Sequence, residues 1–305
     1  MSVTNEDNKK LIPLKDDFLF KKVFGEDEGI ERLEGFLSLY FHVPIEEIKG
    51  KVRIVNGDLR KNKNFSKDQK VDVKANIELG IGELMINIEV NAEQGTTLER
   101  NILYASRILS NQLSKKKIDY KKLKPLIQIN FDKYEINEKN DKIIKRCYIK
   151  DETNTIISHL LEFDHINIAK CHTAWYNKTI EKEKKEDQDL IRFGALLLID
   201  NVKDFKTCLE EIDMNKEIKE DIEDTVEWYA DDEIMLALHD RESIIEDARL
   251  QAEERGHEEG LKEGLKEGLK QKSIEIAKKL LEQNIDESII SSSTGLSIEE
   301  IEGLK

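Results

Sequence analysis

The chain has 305 residues, a formal net charge of −15, 38% hydrophobic residues and 37% charged residues. That length allows one large domain or two smaller ones with a sizeable core, and no window approaches the ~18 apolar residues of a membrane span. The acidic balance argues against a general nucleic-acid coat, because phosphate binding needs positive surface.

In chain order, residues 16–24 and 29–41 read as helices. Phe18, Val23 and Phe24 mark a buried face in the first. Ile30, Leu33, Phe36, Leu37, Leu39 and Tyr40 recur at helical spacing in the second. Gly25 ends the first helix, and Pro44 separates the second from the next segment. Residues 51–56 read as a strand and 60–69 as a loop. Residues 70–79 and 84–91 read as paired strands, with Gly80 and Gly82 in their turn. A helix follows from Leu98 to Leu113, with Leu98, Leu103, Ile108, Leu109 and Leu113 as its apolar positions. Strands are expected at 125–131, 143–149 and 163–168.

From Asp187 onward the pattern is helical. Phe193, Leu196, Leu197, Leu198 and Ile199 are buried candidates, as are Trp228, Tyr229, Ile234, Met235 and Leu238. Then Gly256, Gly260, Gly264 and Gly268 recur every fourth residue. Four residues advance a helix by about 400°, so these glycines form a slowly turning stripe. Each costs roughly 1 kcal/mol relative to alanine in a helix. Close approach of a second helix would offset that cost, which predicts a homodimer through this stripe. A charged linker grown by short-repeat expansion is the other reading. Residues 273–305 predict three short helices with a helix-turn-helix outline. Glu299, Glu300 and Glu302 make the last helix acidic, so a packing or partner module fits better than a DNA reader.

The chemistry concentrates in the two paired strands. Val71, Val73 and Ala75 alternate with Lys70, Asp72 and Lys74; Ile86, Ile88 and Val90 alternate with Asn87, Glu89 and Asn91. Strand side chains alternate faces, so pairing can bring Asp72 and Glu89 together on one polar face. Two carboxylates backed by an apolar sheet suit a hard cation of the kind used to cut phosphodiesters. A half-exposed hairpin with a solvated outer face fits the same alternation. Asp17, with Glu31 behind it, is a further acidic candidate; an N-cap or first-turn carboxylate favouring the helix dipole is the other reading. Arg100 and Tyr104 are i,i+4 neighbours, so Arg100 can face a phosphate or pack on the tyrosine. Lysines cluster between residues 60 and 74 and again at Lys115, Lys116, Lys117, Lys121, Lys122 and Lys124; both islands read as DNA contacts or as solvated loops. Cys147, Cys171 and Cys208 are scattered and lack CxxC spacing, and residues 1–10 lack an apolar signal core, so a reducing cytoplasm is expected. The six histidines show no HExxH spacing, and no phosphate loop or nucleophile elbow occurs.

Taken in order, Asp17-Phe18-Leu19-Phe20-Lys21-Lys22-Val23-Phe24-Gly25, Val71-Asp72-Val73, Asn87-Ile88-Glu89-Val90-Asn91, Arg100-Asn101-Ile102-Leu103-Tyr104 and Lys124-Pro125-Leu126-Ile127-Gln128-Ile129-Asn130 resemble the PD-(D/E)XK nuclease family labelled as transposases, the recombination-promoting nuclease group. The resemblance continues through Tyr148–Glu152 and resumes in the glycine repeat and Ile274–Leu281. It implies an α/β fold with a restriction-endonuclease-like αβββαβ core and a helical C-terminal region. The divisions it suggests are 1–175 for the nuclease-like domain, 176–250 for a helical extension, 251–272 for the glycine helix and 273–305 for a small helical module. It implies a Mg²⁺- or Mn²⁺-dependent DNA endonuclease tied to mobile elements or defence. Asp72 and Glu89 map onto the metal-binding acids, with Asp17 as a third. Asn91 maps onto a position where the family has lysine or glutamine, and Lys70 or Lys74 would replace the missing charge. Arg100 and Lys115–Lys117 would face DNA. A nuclease-like binding protein that has lost catalysis through Asn91 is the competing reading.

Overall fold

The computed structural model describes residues 9–55, 73–80, 82–91, 98–113, 119–136, 140–231, 264–265, 268–283 and 285–304. The chain divides into two units, Met1–His239 and Asp240–Lys305.

The first unit is built on one mixed sheet. Its strands are β1 (Val52–Ile54), β2 (Val73–Leu79), β3 (Gly82–Asn91), β4 (Leu126–Asp132), β5 (Ile144–Lys150) and β6 (Ile156–Asn167), in the spatial order β1-β2-β3-β4-β6-β5. β1, β2 and β3 form an antiparallel meander. Gly82, with φ +117°, opens β3 in a conformation that side chains disfavour. β4 then runs parallel to both β3 and β6. A parallel neighbour needs a crossover, and helix α4 (Leu98–Asn111) lies in the β3–β4 connection.

The sheet has two different faces. Ile86, Ile88, Val90, Ile127, Ile129, Phe131 and Ile166 form the apolar face, buried in the main core. Over it pack α1 (Asp17–Phe24), α2 (Ile30–Phe41), the short α3 (Ile45–Ile48) and α6 (Gln188–Leu196). Phe193 is the hub, with ring centroids 5.5 Å from Phe24, 4.7 Å from Phe36 and 5.9 Å from Phe131. Each such fully buried ring is worth roughly 1.5–3 kcal/mol of transfer free energy. Helices α5 (Ile168–Tyr176), α7 (Val202–Glu210) and α8 (Lys216–Asp231) complete the layer and share its core. Arg32 binds α2 to its neighbours: its Nε donates to the Val23 carbonyl at 2.6 Å and its Nη1 to Asp221 at 2.7 Å.

The sequence periodicity misplaces three large side chains. Phe18 is 43% exposed and Trp228 62% exposed, although both were expected in the core. The buried row of α1 is Leu19, Phe20, Val23 and Phe24, one residue round from Phe18. That of α8 is Ile218, Ile222, Val226 and Ala230, and Trp228 lies half a turn away. In α4 the buried residues are Asn101, Tyr104, Ala105 and Ile108, so Leu103 faces outward.

In the second unit, helical residues 268–282 (α9) precede α10 (Glu287–Thr294) and α11 (Ile298–Glu302). Ala277, Ile290, Leu296 and Ile301 form its own small core. Asp286 caps α10, accepting from the Ser288 amide at 2.9 Å. Ser297 and Glu300 form a capping box on α11. Gly256 and Gly260 lie outside the described residues. Side chains added at Gly264 or Gly268 would meet nothing within 4 Å.

Candidate active site

The polar alternation of β3 does not face bulk water. Asn87, Glu89 and Asn91 are all buried. They lie on the face of the sheet opposite the main core, where Tyr104, Ala105 and Ile108 of α4 pack on Met85 and Leu126. The half-exposed hairpin is thereby excluded for β3. Parallel register extends the seam sideways: Glu89 sits beside Asn130, Asn91 beside Asp132, and Asn130 beside His165.

Buried polar groups must find partners, and these do so through a continuous chain. Asn87 Nδ2 donates to Glu89 Oε1 and to Gln128 Oε1, both at 2.9 Å. Gln128 Nε2 donates to Asn130 Oδ1 at 2.9 Å, and Asn130 Nδ2 to the Asp164 carbonyl at 2.9 Å. Asn91 Nδ2 donates to Asp132 Oδ1 at 2.7 Å, and Asn101 Nδ2 of α4 reaches the same oxygen at 3.3 Å. His165 Nδ1 lies 2.5 Å from Asp132 Oδ2. Asn87 Oδ1, Asn101 Oδ1 and His165 Nε2 are buried without a hydrogen-bond partner among the described residues. Beside this network, burial and then Asp132 push the Tyr134 phenol well above its ordinary range.

Lys74 pairs in register with Asn87 and so shares the covered face. Desolvation lowers its pKa below the ordinary lysine value. Asp17 stands at the start of α1, whose cap is the neighbouring Asp16, accepting from the Leu19 amide at 2.9 Å. Asp17 keeps solvent contact. Desolvation raises its carboxyl, while Lys21 and, more weakly, Arg100 pull it down. The Arg100 Nε donates to the Tyr104 hydroxyl at 3.1 Å, and its guanidinium lies 5.3 Å from the ring centre. The i,i+4 pairing expected from the sequence is therefore formed. Glu31 is exposed on α2, 4.0 Å from Lys49. Lys70, Asp72 and Lys115–Lys117 lie outside the described residues.

Sequence reasoning missed Gln128, Asn130, Asp132 and His165. The first three alternate with Ile127, Ile129 and Phe131 in the same period-two pattern that singled out β3. That alternation is the signal that marks them.

The donor chemistry suits a hard divalent cation: carboxylate and amide oxygens, one of them the orphaned Asn87 Oδ1 beside Glu89. Among the described residues no three His, Cys, Asp or Glu side chains cluster closely enough to form a metal site alone. Asp132 is the other acid of the seam, and its two oxygens already accept from Asn91, Asn101 and His165.

Helix, three antiparallel strands, crossover helix and parallel strand give the αβββαβ order, so the class is an α/β protein with a restriction-endonuclease-like core. The chain belongs to the PD-(D/E)XK nuclease family transposases, whose family model matches residues 14–239. No curated protein and no solved structure matches it. No helix among the described residues is long and apolar enough to cross a membrane.

Proposed function

We propose that this protein is a metal-dependent DNA endonuclease of the PD-(D/E)XK class, acting in mobile-element recombination or genome defence. The observation that carries the reading is Glu89, an acid buried on a central strand, held by Asn87 and sharing a covered face with Lys74. An acid is costly to bury unless the site uses or pairs it.

Asp72, two residues before Lys74 in the chain, and Glu89 would hold Mg²⁺ or Mn²⁺, with Asp17 as a third acid. A divalent ion there would lower the pKa of a bound water and offset charge on the scissile phosphate. The remaining roles fall to the protein. Asn87 fixes one oxygen of Glu89. Asn91 orients rather than charges the site, because its amide is neutral. Lys74, with Lys70, supplies the positive charge that Asn91 lacks. Arg100, held against Tyr104, contacts a backbone phosphate, and Lys115, Lys116 and Lys117 extend that contact.

Supercoiled plasmid incubated with protein and Mg²⁺ or Mn²⁺ tests this reading. Nicking that disappears in Asp72→Ala, in Glu89→Ala and in EDTA supports it. A folded wild type that leaves the plasmid intact favours the second reading, a nuclease-like protein that binds DNA or a protein without cutting. The observation on that side is that Asn91 Nδ2 is already committed to Asp132.

The same proposal places the protein in the cytoplasm, where the thiols of Cys147, Cys171 and Cys208, all free, stay reduced. It retains the divisions 1–175, 176–250, 251–272 and 273–305. It also pairs two copies through the helix carrying Gly256, Gly260, Gly264 and Gly268. Open space at Gly264 and Gly268, beside Leu265 and Leu269 at 66% and 61% exposure, supports a partner on that surface.

A further inference from the structure

Asp132 collects side-chain donors from three separate elements. Asn91 reaches it from β3, Asn101 from α4 and His165 from β6, at 2.7, 3.3 and 2.5 Å. Both Asp132 and His165 are fully shielded from solvent. One of the three donors, Asn91, stands two residues from Glu89 on the same face of β3.

An asparagine amide has two chemically opposite ends. The nitrogen end only donates and the oxygen end only accepts. A neighbour that only accepts therefore decides which way the amide faces. With Nδ2 drawn to Asp132, the carbonyl oxygen becomes the opposite end. No described residue donates a hydrogen bond to Asn91 Oδ1, so that oxygen has capacity to spare. Without Asp132, the amide can turn over at little cost and present a donor instead. His165 and Asn101 hold the carboxylate itself. His165 reaches Asp132 Oδ2 through Nδ1, and Asn101 ties the carboxylate to the covering helix.

We infer that Asp132 is a positioning residue for phosphodiester cleavage, which holds the Asn91 amide so that its carbonyl oxygen faces the reacting water. The inference rests on the nuclease reading and assigns this chain its own solution to the third motif position. In place of a charged lysine acting on the water or phosphate, an oriented acceptor takes a hydrogen bond from the water. Asp132 touches neither substrate nor metal; it acts through Asn91.

The test is a double-mutant cycle on plasmid nicking by the full chain, together with the Asn91 side-chain NH₂ signal in a ¹⁵N-labelled sample. That signal is identified as the one missing from Asn91→Ala. Asp132→Asn should lower kcat about 100-fold, the scale of a misplaced catalytic group, with KM for DNA unchanged. In Asn91→Ala/Asp132→Asn, the second change should add no further loss. Independent structural damage would instead make the two losses multiply, and that result would overturn the inference. The Asn91 NH₂ protons should exchange slowly in the wild type and quickly in Asp132→Asn; equal rates also overturn it. If Asp132→Asn does not fold, the exchange Asn91→Asp/Asp132→Asn rebuilds the bond with its direction reversed. It should then fold yet remain inactive, and full activity in it overturns the assignment. A wild type that cuts nothing removes the nuclease reading, while the NH₂ exchange rates still decide whether Asp132 holds Asn91.

Discussion

Tyr40 donates its hydroxyl to Asp164 at 2.8 Å, inside the main core and on the face of the sheet opposite Glu89. Arg146 approaches the same carboxylate at 3.7 Å and is itself tied to Asp187 at 2.7 Å. Burial, first, and then Glu162 push the Asp164 carboxyl up to about 7, against the downward pull of Tyr40 and Arg146. A carboxyl raised in the folded state holds its proton there after the unfolded chain has released it. Its contribution to stability is therefore fully present below the unfolded pKa and is lost as pH rises through 7. Between pH 4 and pH 8 this group should cost the wild type ~2–4 kcal/mol. In Asp164→Asn that part of the pH dependence should vanish. Urea melts of both proteins at pH 4.5 and 8 check it; parallel losses in the two would refute the assignment.

Arg32 is buried and Asp221 half outside, so the two ends of their ion pair are not equivalent. Arg32→Ala leaves the Val23 carbonyl without its side-chain donor and should cost ~2 kcal/mol. Asp221→Ala leaves Arg32 with Thr225 and Val23 and should cost under ~1 kcal/mol. Chemical denaturation of the two variants measures the asymmetry.

Gly194 lies where a methyl group would come within 2.7 Å of Cys171 Sγ. α5 and α6 pack through this point. Gly194→Ala should destabilise by ~1–3 kcal/mol through overpacking. Adding Cys171→Ala removes the obstructing sulfur, so the double variant should be more stable than the sum of the single losses. Strict additivity in thermal melts would show that the helices shift apart instead.

Lys74 shares the covered face with Asn87, on the strand next to Glu89. If it offsets phosphate charge, Lys74→Ala should reduce nicking by about 100-fold, the scale of one electrostatic contact. Lys70→Ala is the companion measurement. Undiminished cleavage by both variants would remove Lys70 and Lys74 from the mechanism.

Self-association through the glycine helix makes a separate prediction. Leu265→Glu/Leu269→Glu places charge on two exposed leucines of that surface. The wild type should sediment as a dimer and the variant as a monomer, each with its nuclease core folded. A monomeric wild type would end this part of the proposal.

The sequence was most informative where one pattern repeated long enough to carry a period. The β2–β3 pairing and helices α1, α2 and α4 all follow local chemistry, and all are found. What periodicity could not supply is which elements cover a face. Asn87, Glu89 and Asn91 alternate like a solvated strand, yet α4 covers them, and only tertiary packing decides that. Asp132 and His165 stayed hidden for a related reason. Asp132 follows the alternation of β4, but its pairing with His165 exists only because β4 and β6 run side by side. Phe18 and Trp228 show the converse error, in which residue type outweighed position on the helix.

The parallel placement of β4 between β3 and β6 has a kinetic side. Glu89 neighbours Asn130, which neighbours His165, so the seam joins segments far apart in the chain. The β2–β3 hairpin can close early, since its contacts are local, while the parallel pairs must wait for long loops to close. A nascent chain that has made only the hairpin holds Glu89 without the strand and helix that bury it. The destructive chemistry proposed for this protein would then switch on only at the end of folding, and unfinished copies would be harmless to the genome that encodes them.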